Sequence, residues 1–290
     1  MPMETFFSFL EKRVDDCSSL LCVGLDPHVS DLSAPTADAA LAFCLNLVKQ
    51  TAPYAAAFKP NAAFFEVFGP KGWTVLKQVI SAIQDESDRM GSMIPVILDA
   101  KRGDIASTAE AYAQSAFGKL GAHCITLSPY LGKDSIDPFL TNQEKGVFLL
   151  CKTSNPGAGD LQDLLVTTDD GPQTTIVGRS SSIVPLYEHV ACLAQTWNTR
   201  NNIGLVVGAT QPEALTRVRA AAPDLWFLAP GVGAQGGDLE TALKAGLRQD
   251  GKGMLLPISR GISRAANPGR AAAEFRDEII SIQYELRHSS

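Results

Sequence analysis

Pro95-Val96-Ile97-Leu98-Asp99-Ala100-Lys101-Arg102-Gly103-Asp104-Ile105-Ala106-Ser107-Thr108 runs from an apolar stretch, through four charged residues, into a helix-like segment. A short, nearly continuous apolar run is what a strand looks like when both of its faces are buried, as in a parallel sheet covered by helices. Charges placed where such a strand ends are costly to bury unless they are paired or functional. The same grammar recurs on either side. Apolar runs at Leu20–Asp26, Ala55–Asn61, Ile94–Lys101, Cys124–Pro129, Gly146–Ser154, Ile203–Ala209, Trp226–Val232 and Met254–Arg260 read as strands. Helical patterns lie between and after them at Asp38–Thr51, Gly72–Asp88, Ile105–Leu120, Asp134–Leu140, Ser181–Trp197, Pro212–Ala221, Asp238–Ala245 and Pro268–Arg287.

Strand–helix alternation of this count predicts an α/β fold, a (β/α)8 TIM barrel, with a doubly wound open sheet as the alternative. The stretch Met1–Cys17 sets Phe6, Phe7, Phe9 and Leu10 among charged residues, which predicts an extra amphipathic N-terminal helix and not a signal peptide. No shift in composition divides the chain, so residues 1–290 are expected to form a single domain.

Bulk properties narrow the function. Of 290 residues, 45% are hydrophobic and 19% charged, which supports a large core and excludes disorder. A formal net charge of −6 argues against nucleic acid and anionic membrane surfaces as partners. No apolar run approaches the roughly 18 residues of a membrane span, and a cytoplasmic location is expected. Cys17, Cys22, Cys44, Cys124, Cys151 and Cys192 are scattered, and His28, His123, His189 and His288 lack ligand spacing, so no metal site is expected.

The charged residues at strand ends carry the chemistry. Asp26, Lys59, Asp99, Lys101 and Arg260 each close an apolar run, and a parallel barrel gathers those ends at one mouth. Alternation along the strand puts Asp99 and Lys101 on one side, and Lys59 comes from the neighbouring strand. Opposite charges held this closely keep one another ionised. Asp104 falls where a helix N-cap would sit, with Thr108 one turn on, so capping is its ordinary reading. Phosphate capture is suggested by the glycine-rich run Ala229–Asp238, which opens a helix, together with Arg260 after the eighth strand. The connection Asn155–Arg179 is rich in Gly, Asp and Thr without an apolar period, and residues 155–179 read as an active-site lid loop or a tolerated surface insertion.

These segments closely resemble the orotidine 5′-monophosphate decarboxylase family, especially its longer bacterial-type branch. The resemblance runs in order through Gly24-Leu25-Asp26-Pro27, Phe58-Lys59-Pro60-Asn61, Asp99 to Ile105, Lys152-Thr153-Ser154-Asn155-Pro156, Ala229 to Gly237 and Ser259-Arg260-Gly261. It implies cofactor-free loss of CO2 from orotidine 5′-monophosphate to give UMP, the last step of de novo UMP biosynthesis. By the same resemblance, Lys59, Asp99, Lys101 and Asp104 form a catalytic tetrad, with Lys101 protonating C6. Asp26 and Lys59 meet the ribose, Ser154 the pyrimidine, Gln235 the base and phosphate, and Pro230 and Arg260 line the nucleotide site. Asp104, Ile105 and Thr108 enter the neighbouring site of a homodimer, which would replace the capping reading. Ser259 departs from the glycine usual before the arginine. Two other readings stand beside this one. A magnesium-dependent phosphosugar lyase or decarboxylase of the same superfamily would place a carboxylate where a lysine stands. A catalytically silent barrel would not need both lysines and both aspartates.

Overall fold

The computed structural model describes residues 4–169, 181–232 and 238–288. Eight parallel strands form one sheet in the order β2-β1-β10-β9-β8-β5-β4-β3. They are β1 (Leu21–Leu25), β2 (Ala57–Pro60), β3 (Ile97–Arg102), β4 (Cys124–Leu127), β5 (Gly146–Lys152), β8 (Ile203–Val207), β9 (Phe227–Leu228) and β10 (Met254–Ile258). Parallel bridges Phe58↔Val96 and Asn61↔Asp99 join the two ends of that order, so the sheet closes into the expected barrel. Each of the eight expected strands is present, six of them two residues shorter than the apolar run, β2 three shorter and β9 five shorter. The outer layer is built by α2 (Ala37–Thr51), α4 (Pro70–Met90), α5 (Ala106–Ala113), α7 (Leu186–Trp197), α8 (Pro212–Ala221), α9 (Leu239–Gly246) and α11 (Pro268–His288). Single turns α3 (Ala63–Glu66), α6 (Gly159–Gln162) and α10 (Arg260–Ser263) sit near the C-terminal ends of strands.

The N-terminal helix α1 (Phe6–Cys17) closes the opposite end of the barrel. Thr5 and Ser8 form a reciprocal capping box at its start. Phe6, Phe7 and Leu10 are buried, and Phe7 stacks on Trp226 with centroids 6.4 Å apart. The approach is so close that a Cβ on Gly146, at the foot of β5, would lie 2.3 Å from the Phe6 ring. Arg13, 2% exposed, donates to the Ala52 and Ala55 carbonyls ahead of β2. A plug at the N-terminal end leaves the C-terminal mouth as the open one.

Three expected helices take another form, the first being Ile105–Leu120, which is α-helical only to Ala113 and continues as a π-helix over Gln114–Leu120. Between β4 and β5 the stretch 134–140 makes only 3-10 turns, Lys133–Ser135 and Asp137–Leu140. Pro138 removes a backbone donor there and disfavours α geometry in the residue before it. The segment expected as Ser181–Trp197 begins its helix at Leu186, because Pro185 occupies the N-cap. Residues Ser181–Pro185 are instead β7, paired antiparallel with β6 (Leu165–Asp169) in a hairpin. The connection after β5 therefore carries the 3-10 turn Pro156–Ala158, α6 and this hairpin, and residues 170–179 of the expected loop lie outside the described residues. No helix among the described residues is long and apolar enough to cross a membrane.

Candidate active site

Asp99 is the hub. Its Oδ2 accepts from Lys59 Nζ at 2.7 Å, and its Oδ1 accepts from Lys101 Nζ at 2.6 Å and from Thr126 Oγ1 at 3.0 Å. The pairing across β2 and β3 follows from the bridge that aligns Asn61 with Asp99 and brings Lys59 alongside.

Lys101 reaches back to Asp99 through a bend and not through regular alternation. Its backbone is left-handed, with φ +48°, and the β3–β4 register shifts between Leu98 and Arg102. Such a conformation is unusual for a side chain with a Cβ and needs support from its surroundings. Thr126 supplies it, since its Oγ1 accepts from both the Ala100 and Lys101 amides, at 3.0 and 2.9 Å. Thr126 thus holds the bend and the carboxylate together. Sequence reading missed it, although a lone polar residue in Cys124-Ile125-Thr126-Leu127 was a visible signal.

Burial disfavours any isolated charge here, with Lys59 7% and Asp99 8% exposed. It would lower the Lys59 pKa, but the negative charges of Asp99 and Asp26 outweigh it and hold the ammonium above its ordinary value. Burial would likewise raise Asp99, yet Lys59 and Lys101 keep its carboxyl well below the usual carboxylate range. Lys101 is the open end of the array, its side chain 51% exposed.

Asp104 does not cap α5. The N-cap position is Ile105, without a side-chain cap bond, and among the described residues Asp104 Oδ1 accepts from the adjacent Ile105 amide at 2.9 Å. Among the described residues no ion pair includes Asp104. Ile105 is 53% exposed and Thr108 is also exposed, so this part of the chain faces outward. Arg102 turns away to Glu66 at 2.7 Å.

A cavity of about 690 Å3 opens at the C-terminal ends of β1, β2, β9 and β10. Asp26, Lys59, Pro230 and Arg260 line it together, as do His28 and Phe64, which sequence reading did not single out. Lys59 belongs both to this cavity and to the Asp99 array, and so joins the two. Asp26 Oδ1 is buried and has no hydrogen-bond partner among the described residues. Arg260 stands exposed at the first position of α10. Behind it, a Cβ on Gly24 would come within 2.7 Å of Ser259 Cβ, so the bare Gly24 backbone is what admits Ser259. Ser154 follows β5, its backbone close against Gly208, and is not among the residues lining the cavity. Gln235 lies outside the described residues.

A closed parallel barrel whose charges converge at its C-terminal mouth, beside a cavity edged by an arginine, defines a TIM-barrel enzyme acting on a small anionic substrate. Residues 19–275 match the orotidine 5′-phosphate decarboxylase / HUMPS family, and the chain belongs to that family. It is 45% identical over 285 residues to the orotidine 5′-phosphate decarboxylase of Roseiflexus castenholzii, covering 94% of this chain and 97% of that one. Among solved structures, Leishmania donovani OMP decarboxylase is 52% identical with a TM-score of 0.82, over 97% of this chain and 100% of that one. Leishmania donovani UMP synthase is 53% identical with a TM-score of 0.85 over 97% of this chain, which spans only 57% of its length.

Proposed function

We propose that this chain decarboxylates orotidine 5′-monophosphate to UMP and CO2, with residues 1–290 acting as one catalytic domain. The observation that carries the reading is the Lys59–Asp99–Lys101 array, buried at one end and open at Lys101. In the reaction the bond from C6 to its carboxyl carbon breaks, CO2 departs, and the electron pair stays on C6. The Lys101 ammonium stabilises that charge where it develops and transfers a proton from Nζ to C6, to be replaced later from solvent. No cofactor enters this sequence. A divalent cation at Asp99 would face two ammonium groups already within 2.7 Å, which disfavours the magnesium-dependent alternative.

The remaining roles follow the cavity. Asp26, with an oxygen unpartnered among the described residues, and Lys59 take the ribose hydroxyls, while Arg260 and Pro230 border the phosphate. Ser154 reads the pyrimidine and Gln235 spans base and phosphate. Asp104, Ile105 and Thr108, turned outward in their own chain, complete the site of a second copy in a homodimer. Residues 155–179 act as a lid that excludes water when phosphate contacts are made. Cys17, Cys22, Cys44, Cys124 and Cys151 are buried thiols, and a cytoplasmic location goes with a biosynthetic enzyme of this kind.

The test is turnover of orotidine 5′-monophosphate by purified protein in excess EDTA, followed by the ultraviolet difference between substrate and product. Undiminished turnover is expected. Absence of turnover, or strict dependence on added magnesium, would sink the reading.

A further inference from the structure

Lys152, the last residue of β5, is a second buried lysine, and the Lys59–Asp99–Lys101 array makes no use of it. Its side chain is 3% exposed. Its ammonium lies 2.5 Å from Asp163 Oδ1 and 5.4 Å from the face of Tyr187. Asp163 is not a barrel residue. It lies immediately after α6, in the connection that leads to the β6–β7 hairpin, and is itself half exposed. Its neighbour Gln162 makes a second link to the same strand end. Gln162 Oε1 accepts from the Thr153 amide at 2.9 Å, and its Nε2 donates to Thr153 Oγ1 at 2.9 Å.

Lys152 and Thr153 are therefore both tied to one short piece of the inserted connection, and the next residue is Ser154. On its other side the Ser154 backbone is backed by Gly208, where an added Cβ would sit 3.1 Å from Ser154 Cβ and 3.2 Å from its amide nitrogen. The Gly208 amide also donates to the Lys152 carbonyl at 2.7 Å. The segment is thus held between β8 on one side and the Gln162–Asp163 pair on the other. A binding group held this way loses little freedom when its ligand arrives, which is how preorganisation raises affinity.

We propose that Lys152–Asp163 and Thr153–Gln162 form a latch that fixes Ser154 for contact with the pyrimidine ring. This rests on the proposed decarboxylase function, and Lys152, Thr153, Gln162 and Asp163 are positioning residues within it. The latch acts on the base end of the nucleotide, and the ribosyl phosphate is held elsewhere, around Asp26 and Arg260. A fault in the latch is consequently felt by ligands that carry a base and not by those that lack one.

Binding of UMP and of ribose 5-phosphate, measured by calorimetry on the full chain, separates these ends. In Asp163→Asn, UMP affinity falls roughly tenfold, a size typical of coupled neighbours, while ribose 5-phosphate stays within about twofold. Gln162→Ala leaves no buried charge unpaired and serves as the variant that folds if Asp163→Asn does not. Its loss is of the same kind and smaller. Adding Ser154→Ala to either variant costs little beyond Ser154→Ala alone, because the latch works only through Ser154. Equal losses for both ligands, or full additivity with Ser154→Ala, would overturn the latch while leaving the functional reading intact. A wild-type protein that binds UMP no better than ribose 5-phosphate would overturn both.

Discussion

Replacing Asp99 by Asn keeps the side chain's shape and removes its charge. Lys59, 7% exposed, would then be a buried ammonium with its carboxylate partner gone. Removing one member of a buried ion pair costs about 3–5 kcal/mol, because the other charge is left desolvated and uncompensated. The Lys101 arm adds little, since its side chain is 51% exposed and such pairs contribute only ~0.5 kcal/mol. A loss of about 3 kcal/mol at pH 7 is expected, the retained amide oxygen keeping the result at the low end of that range. Guanidinium unfolding reads it as a lower midpoint at unchanged m.

The pH dependence makes the assignment specific. In the native protein the Lys59 pKa is raised, so its contribution is fully present below the unfolded lysine value of about 10.4 and is lost as pH rises through the folded value. The Asp99 pKa is depressed, so its contribution is present above about 3.9 and is lost as pH falls through the folded value. Between those limits this pair gives the native protein no slope. In Asp99→Asn the larger attraction is gone and that of Asp26 remains, so the Lys59 pKa falls from its raised native value. Above its own Lys59 pKa the folded variant binds fewer protons than the folded native protein, and its deficit shrinks there by about 1.4 kcal/mol per pH unit. A deficit under about 1 kcal/mol at pH 7, or one that does not shrink as pH is raised past the ordinary lysine value of about 10.4, would refute the electrostatic account. Loss of turnover by the variant is expected as well but would not discriminate.

Two further outcomes are expected. Co-refolded Lys101→Ala and Asp104→Ala chains, each inactive alone, should recover roughly a quarter of wild-type specific activity, since about half the dimers are hybrids with one intact site. Hybrid dimers that form and remain inactive would remove Asp104 from the partner's site. Gly24→Ala should destabilise by about 1–3 kcal/mol and raise KM for the nucleotide, because its Cβ meets Ser259 Cβ at 2.7 Å beside Arg260. The double change Gly24→Ala/Ser259→Gly should restore both thermal stability and KM, and its failure to do so would place the strain elsewhere.

The barrel was legible because its strands are buried on both faces and so leave continuous apolar runs, from Leu21-Cys22-Val23 to Met254-Leu255-Leu256. The charges were legible for the complementary reason, since Lys59 and Asp99 end runs where nothing else is polar. Local pattern failed where long-range partners decide. Ser181–Pro185 is a strand only because Leu165–Asp169 pairs with it, and Leu165 and Ile183 stay 69% and 66% exposed, which hides any apolar period. Alternation pointed to the right pairing of Asp99 with Lys101, but by a route the backbone does not take. The contact depends on a left-handed Lys101 held by Thr126 on the next strand, and no rule within β3 announces that.

The structure also changes what the run Asp99 to Asp104 means. Within one chain the buried array holds two lysines and one aspartate, hence a single excess positive charge, and Asp104 takes no part in its ion pairs. Such an array attracts an anionic substrate, yet it sets Asp99 against any carboxylate brought beside Lys101. Under the proposed reaction that repulsion disappears when CO2 leaves as a neutral molecule, while the attraction between Lys101 and the electron pair on C6 reaches its greatest strength. The same fixed charges therefore favour the transition state over the bound substrate without moving, as electrostatic preorganisation requires. Thr126 matters for that reason: by holding the Lys101 backbone in its strained turn, it spares the ammonium a search for position at the moment the bond breaks.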